Sequence, residues 1–278
     1  GDMFELGEES LLEHKKIIAL LENETSITTY FIGKDFFKNQ IHNTHMSFFE
    51  DFESFSVKSF VLSTSSLKSF DKNEDQKFFQ SWFRAQYADT IRQGSAGSKN
   101  EDFEKIGTRF HSWVRDNLAK VGLDAEQGET FENFVQKDFS FYLKAYLRIL
   151  EAEKNLTPGL EHVFYIRHWG IAPTLSFPLM LASLNTDDSD ETVARKIDTL
   201  AAYIETFVVR RSVNFRNFSA SSIRYTMYSL VKEIRGKDLA SLQAVLTQKL
   251  QDMKESFDGL DKFRMHGQNK RFVKFLLA

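Results

Sequence analysis

The fold is decided by residues 127–155, which read QGETFENFVQKDFSFYLKAYLRILEAEKN. Apolar side chains recur there in steps of three and four residues, which places them on one face of an α-helix. The members of this stripe are Phe131, Phe134, Val135, Tyr142, Ala145, Tyr146 and Ile149. Because the stretch contains no proline, the pattern predicts helix throughout, with this face buried.

The same periodicity recurs further along the chain. Residues 193–209 repeat it behind the acidic cluster Asp187–Glu191, which complements the positive end of a helix dipole. Residues 238–253 repeat it behind Asp238, a predicted N-cap. Thr157 followed by Pro158 predicts another helix start, because proline in a first turn loses no needed hydrogen bond.

Strand patterns are nearly absent, and residues 54–63 are the one short candidate. Only three prolines interrupt the chain, so long stretches lack the strongest helix breaker. The sequence therefore predicts an all-α fold, an irregular bundle of about ten helices with little or no sheet. The 28 phenylalanines, about a tenth of the chain, are expected mainly in its core.

Composition excludes several classes of chemistry. The 278 residues include no cysteine, which rules out disulfides, thiolate catalysis and cysteine-ligated metals. This composition fits a cytoplasmic protein. No apolar run approaches the roughly 18 residues that span a bilayer, so no membrane partner is expected.

The chain reads as a helical fragment of a larger protein, residues 1–278. Gly1 resembles a tag-cleavage remnant, and the last residues, 272–278, are an apolar run whose helical face is unfinished. The linker Gly94–Asn100 either separates two helical subdomains, 1–93 and 101–278, or forms a surface loop within one domain. The surface loop is the preferred interpretation.

Charge is sorted along the chain, which carries a formal net charge of −3. Residues 200–278 carry 14 Lys and Arg against 7 Asp and Glu, whereas residues 1–199 carry 22 against 32. Guanidinium groups bind phosphates in bidentate fashion, so the basic residues are candidate DNA contacts. The candidate nucleic-acid-binding residues are Arg210, Arg211, Arg216, Arg224, Lys232, Arg235, Lys270 and Arg271.

Two interpretations of these cations are open: contact with DNA, or pairing with the acidic part of the chain or with an adjacent domain. The polar break Asn214–Ser222 lets the following helix fold back beside the preceding one. We therefore predict that the first five candidates converge on one exposed face. The apolar stripe of the second helix is predicted to comprise Ile223, Met227, Leu230, Val231 and Ile234.

No catalytic or metal-binding signature stands out. His42 and His45, with Glu50 and Asp51 nearby, would share a helical face and could bind zinc, but the spacing names no third ligand, so partly exposed polar residues are the preferred interpretation. The glycine-rich stretch 94–99 lacks the phosphate-loop spacing. His111 and His168 lie beside aromatic residues and are predicted to be at least half-buried. We expect no cofactor and no turnover from this chain.

Several segments resemble the central helical region of the GmrSD-type family, proteins that combine a ParB-like domain with an HNH nuclease domain in restriction and phage defence. The first segments are Ala88–Arg92 and Asp102–Asn117. The second pair joins Phe207–Val213, with its paired arginine, to Ser229–Arg235. Asn269–Ala278 is similar to the helix that leads into the nuclease domain. The similarity spans roughly residues 75–278.

The resemblance implies a bacterial protein with two active regions outside this chain. These are an N-terminal ParB-like domain that binds and hydrolyses nucleotide and a C-terminal HNH nuclease. Neither catalytic motif occurs in the sequence, so no catalytic residue transfers to it. The implied role is a non-catalytic region that couples the two domains and contacts DNA. The alternative is a helical protein–protein interaction scaffold without nucleic-acid contact. Its oligomeric state is open.

Overall fold

The computed structural model describes residues 70–265, with gaps at 94–96 and 125–127, and a few residues on either side of this range. These further residues are Lys16, Ala19, Thr29–Phe31, Met46–Phe48, Leu67, Asn269, Lys270, Val273 and Lys274. His42, His45, Glu50, Asp51, the candidate strand 54–63 and Arg271 lie outside the described residues.

The chain divides into two compact units, Gly1–Ser63 and Thr64–Ala278. In the first unit, strands β1 (Thr29–Phe31) and β2 (Met46–Phe48) pair in parallel, with Thr29 opposite Met46. Among the described residues, strand structure is confined to this pair. The boundary between the two units falls after Ser63 and not at the predicted linker.

The second unit is helical, which confirms the all-α prediction. Its described α-helices are α1 (Glu74–Gln86), α2 (Asp102–Arg115), α3 (Gly128–Asn133), α4 (Ser140–Lys154), α5 (Glu161–Trp169), α6 (Pro173–Ala182), α7 (Asp190–Val213), α8 (Ala220–Ile234) and α9 (Leu239–Asp252). A π-helix, Phe134–Phe139, joins α3 to α4. Two 3₁₀ helices, Leu118–Val121 and Phe257–Lys262, follow α2 and α9.

Helix α6 lies at the centre of this unit. Pro173 occupies its first turn, where proline costs no hydrogen bond, and every residue from Leu175 to Ala182 is buried. A helix that is apolar all round must be covered on all sides. Helices α1, α4, α7 and α8 supply that cover.

Aromatic rings fill the space between α1 and α4. Trp82 is fully buried and stacks on Phe134 and Tyr142, at ring-centre distances of 5.0 and 5.3 Å. Phe78 meets Tyr146 edge-on at 5.3 Å. Such pairs add roughly 0.5–1.5 kcal/mol each to the burial of their apolar surface.

The stripe predicted for 127–155 is buried except at its first member. Phe131 is 61% exposed, whereas the other six residues are at most 9% exposed. The π-helix is the physical reason, because its wider turn shifts the register between α3 and α4. The stripe therefore fails only at Phe131, which lies in α3 before the π-helix, and holds from Phe134 onwards.

Helix α7 begins as its sequence predicts. The Ser189 side chain accepts a hydrogen bond from the Thr192 amide, and Asp190 and Glu191 occupy the first turn. Asp238 likewise caps α9 by accepting from the Ser241 amide at 3.0 Å. The prediction at Pro158 is wrong, because Gly159 adopts a left-handed conformation (φ 78°) and α5 begins at Glu161. That glycine turn interrupts the helix which Pro158 would otherwise start.

Candidate interaction surface

The C-terminal end of α7 forms a Schellman motif, a helix ending in which one residue takes a left-handed conformation. The Arg216 amide donates to the Arg211 carbonyl at 2.8 Å, and the Phe215 amide donates to the Ser212 carbonyl at 3.1 Å. Glycine normally occupies the left-handed position. Here it is Phe215, with φ 54°. A side chain in this conformation costs roughly 1–2 kcal/mol.

The 3₁₀ helix Phe257–Lys262 is fixed against this helix end. Asn214 Nδ2 donates to the carbonyls of Arg210 and Ser256, at 2.8 and 2.6 Å. Gly259 packs so closely that a Cβ there would lie 2.9 Å from Asn214 Oδ1. A side chain at position 259 would therefore disturb the contact between the two elements.

Arg210 makes a second contact between α7 and the segments that follow α8. Its guanidinium donates to the Leu250 carbonyl near the end of α9 and lies 5.2 Å from the centre of the Phe257 ring. The side chain is half-buried. A cation over an aromatic face is attracted by the ring quadrupole, so Arg210 joins α7, α9 and the 3₁₀ helix.

Arg211 and Arg216 share one carboxylate. Both guanidinium groups lie 3.7 Å from Glu255 Oε1. Arg211 also donates from Nε and Nη2 to the Asn217 carbonyl, and its side chain is only 20% exposed. Arg216 remains 67% exposed. The prediction of one exposed cationic face is therefore wrong for Arg210 and Arg211, because intramolecular contacts hold their guanidinium groups.

Five apolar residues at this helix end and in the following segment 257–265 are exposed or half-buried, and we call them the Phe215 surface. Its members are Phe215, Phe257, Leu260, Phe263 and Met265. Phe215, Phe257 and Leu260 are each 45% exposed and Met265 is 77% exposed. Phe263 is half-buried and its ring stacks on Phe215 at 6.3 Å. A shallow depression of about 190 Å³ adjoins Phe215, between Arg216 and Lys254.

Arg224 belongs to a different cluster. Its Nη1 lies 4.0 Å from Glu104 Oε1 on α2, and its side chain is 43% exposed. Glu104 also faces Arg84, which is buried and donates to the Phe103 carbonyl at 3.0 Å. Burial lowers the pKa of Arg84 to about 10, although the charge of Glu104 opposes the shift.

Arg235 caps the end of α1. It donates to the carbonyls of Ala85 and Ala88 at 2.8 and 2.7 Å and to Asp89 Oδ1 at 2.9 Å. Burial raises the pKa of Asp89, but hydrogen bonds from Lys120 and Arg235 outweigh it and hold that pKa below its ordinary value. Cations at a helix C-terminus also complement the dipole. Arg235 is therefore a structural contact between α8 and α1.

Lys232 and Lys270 are exposed, and no ion pair holds either within the described part of the chain.

His111 and His168 are also exposed, so the prediction of half-buried histidines is wrong for both. His168 Nδ1 lies 2.9 Å from the Phe164 carbonyl one turn earlier, and the ring stays on the helix surface. In the described ranges, no three His, Asp or Glu side chains are grouped to hold a metal ion.

The Phe215 surface was not predicted from the sequence, although the sequence contains a signal for part of it. Phe257, Leu260 and Phe263 follow one another at three-residue steps, which is the period of a 3₁₀ helix.

No described helix is both long and apolar enough to cross a bilayer. No protein-family model, curated protein or solved structure matches the chain.

Proposed function

We propose that the chain is a non-catalytic helical interaction module that binds another protein through the Phe215 surface. The observation that carries this proposal is the position of the paired arginine. Arg210 and Arg211 hold the end of α7 against α9 and the segment around Glu255, and so fix exposed aromatic rings in place. Exposed apolar groups that are rigidly supported are typical of protein interaction sites.

The GmrSD-type resemblance supports the same role. Its segments Ala88–Arg92 and Asp102–Asn117 contain Asp89 and Asp102, which both pair with Lys120, and Arg235 also binds Asp89. These residues join helices to one another. A region that couples two catalytic domains needs such rigid joints, because a flexible one would not transmit a change in position. The ParB-like and HNH domains that the resemblance implies are the proposed partners.

DNA contact is the second candidate function. The cations that favour it are those left in solvent, namely Arg216, Lys232 and Lys270, with Arg224 partly exposed. Arg210, Arg211 and Arg235 are engaged within the chain and contribute less to a phosphate-binding face. Protein binding is therefore preferred to DNA contact as the function.

Site-specific photo-cross-linking in cells tests the two candidates directly. A benzophenone amino acid replaces Leu260, which is 45% exposed, in one variant and Tyr225 of α8, which is 63% exposed, in a control. We expect protein adducts from position 260 and few from position 225. Adducts to nucleic acid from position 260, or equal yields from both positions, would contradict the proposal.

A salt titration with labelled duplex DNA tests DNA contact separately. Binding through phosphate contacts falls with salt at a log–log slope of about −0.9 per contact. If DNA contact were the function, Arg216→Ala with Lys232→Ala would lower affinity for all sequences alike, because phosphate contacts do not specify sequence. We expect the double variant and the parent to bind equally weakly.

The proposal also expects no turnover. Incubation of the chain with magnesium or manganese, nucleotides and plain or modified DNA should give no product above a buffer blank. Nucleotide or DNA hydrolysis that survives repeated purification would overturn the non-catalytic assignment.

A further inference from the structure

We infer that residues 270–278, which we call the C-terminal segment, pack as a short helix over the Phe215 surface and compete with a protein partner for it. The inference rests on the proposed function, since it names how that surface is regulated. Three features carry it: the place where the segment starts, the side that it exposes to solvent, and its length.

The C-terminal segment starts beside the Phe215 surface. Asn269 is 2% exposed and donates from Nδ2 to the Arg264 carbonyl at 2.7 Å. Arg264 lies between Phe263 and Met265, which are both members of the surface. Because a buried side chain holds residue 269 against residue 264, the residues that follow begin next to this end of the surface.

The segment has a polar side and an apolar side. Lys270, Val273 and Lys274 are helical, and the two lysines, one turn apart, are exposed, whereas Val273 is half-buried. The lysines therefore mark the side that faces solvent. Continued to residue 278, the helical period places three apolar residues on the opposite side. These are Phe272, Phe275 and Leu276, which lie outside the described residues.

The segment and the surface match in length. The Phe263 amide donates to the Leu260 carbonyl at 3.0 Å, so the three-residue step of the 3₁₀ helix continues to Phe263. At about 2.0 Å per residue, the row from Phe257 to Phe263 is about 12 Å long. Nine residues of α-helix are about 13 Å long. A helix over 270–278 that runs back along the row can therefore cover it from end to end.

Burial of apolar surface drives this contact and requires no excess of either charge. Phe257 and Leu260 are each 45% exposed and Met265 is 77% exposed, so the surface still has apolar area to bury. A segment of the same chain is present at an effective concentration of about 1 mM, which a separate partner has to overcome. If the segment covers the surface for about nine-tenths of the time, the apparent affinity of a partner falls about tenfold.

Cysteine pairs test the contact in the full chain, which has no cysteine of its own. Leu260→Cys is combined in turn with Phe272→Cys, Phe275→Cys and Leu276→Cys, and each dilute protein is oxidised mildly. A disulfide requires Cα atoms within about 7 Å of each other. We expect at least one of these pairs to form a disulfide within the monomer, as detected by mass spectrometry. Tyr225→Cys with the same three partners is the control and should stay reduced, although Tyr225 is 63% exposed.

Photo-cross-linking of the full chain in cells tests the competition. With the benzophenone amino acid at position 260, Phe275→Asp with Leu276→Asp should raise the yield of adducts to other proteins at least about threefold, because the displaced segment leaves the surface open. Lys270→Asp with Lys274→Asp introduces two aspartates on the exposed side and should leave the yield unchanged. The cysteine pairs remain informative if an aspartate variant folds poorly.

Two results would overturn the inference. Absence of every disulfide between position 260 and the three segment positions would remove the contact, and equal, measurable adduct yields from the two aspartate variants would remove the competition. If no such disulfide forms while position 260 still cross-links to another protein, the inference fails and the proposed function stands. If a disulfide forms but no variant gives a protein adduct, the covering helix is supported and the proposed function fails.

Discussion

The contact between Gly107 and Arg84 shows how one side chain fixes a helix pair. Arg84 is 8% exposed, and its guanidinium lies 4.0 Å above the Phe103 ring. A Cβ at Gly107 would overlap that guanidinium. In this helical setting glycine is normally about 1 kcal/mol worse than alanine, so its presence in α2 reflects the space that Arg84 occupies.

We predict that Gly107→Ala lowers the free energy of unfolding by about 1–3 kcal/mol, because Arg84 is buried and has no room to move. In an Arg84→Met background, the same substitution should become neutral or stabilising, by up to about 1 kcal/mol. Urea unfolding of the four proteins measures this coupling. Equal costs in both backgrounds would show that the two residues act independently.

Asp102 makes stability depend on pH. Burial disfavours its ionised form, but hydrogen bonds from Trp113 Nε1, the Asp89 amide and Lys120 outweigh this effect and lower its pKa to about 2. Because the folded pKa lies below the ordinary value of 3.8, the stabilisation is complete above that value and is lost as the pH falls towards 2. We predict a contribution of about 1–2 kcal/mol at neutral pH.

The difference in free energy of unfolding between Asp102→Asn and the parent gives the contribution of this carboxylate, because all other acidic groups are the same in both proteins. The variant should be less stable at pH 7, and the difference should shrink between pH about 4 and pH about 2. The same change at exposed Asp116, at the end of the same helix, should alter stability by less than about 0.5 kcal/mol. A difference for Asp102→Asn that persists at pH 2 would assign its effect to packing.

Among the helices, the joint between α8 and α1 depends on Arg235. Replacing Arg235 with Met removes three hydrogen bonds to Ala85, Ala88 and Asp89 and should lower stability by about 2–4 kcal/mol. Lys232→Met, one turn earlier on α8, should change it by less than about 0.5 kcal/mol, because Lys232 is exposed. Urea unfolding compares the two. Equal losses of stability in the two variants would mean that the lost positive charge, and not the three hydrogen bonds, lowers the free energy of unfolding.

Helix-level patterns could be predicted from the sequence where local chemistry decides them. The acidic first turn of α7, the cap at Asp238 and the buried stripe of α8, from Ile223 to Ile234, follow from periodicity and local electrostatics within a few residues. The π-helix Phe134–Phe139 could not be predicted, because its register depends on contacts such as that of Phe134 with Trp82, far away in sequence.

The candidate site was harder to predict for a related reason. A run of arginines shows where positive charge lies along the chain, but not which carbonyls or carboxylates will meet it after folding. Arg211 finds Asn217 and Glu255, and Arg235 finds the end of α1, about 150 residues away in sequence. Phe215 was missed because its left-handed conformation is set by the helix ending, not by its own preference.

At the scale of the second unit, the three tryptophans can show whether the unit unfolds in one step. All three, Trp82, Trp113 and Trp169, lie there, on different helices, and none is more than 3% exposed. We predict that variants retaining a single tryptophan unfold in urea with coincident midpoints, and that acrylamide quenches their fluorescence several-fold more after unfolding. Separate midpoints would show that this unit unfolds in parts.

The enclosure of α6 has a consequence for synthesis on the ribosome. A nascent chain that ends at residue 189 has made α6 together with α1 and α4, but not α7 or α8, which cover the rest of its surface. That surface is apolar and attracts chaperones and other unfinished chains. Protease treatment of arrested chains should therefore show α6 cleaved until residues 190–234 have left the exit tunnel and protected afterwards. Translation speed across α7 and α8 then sets how long each new molecule stays at risk of aggregation.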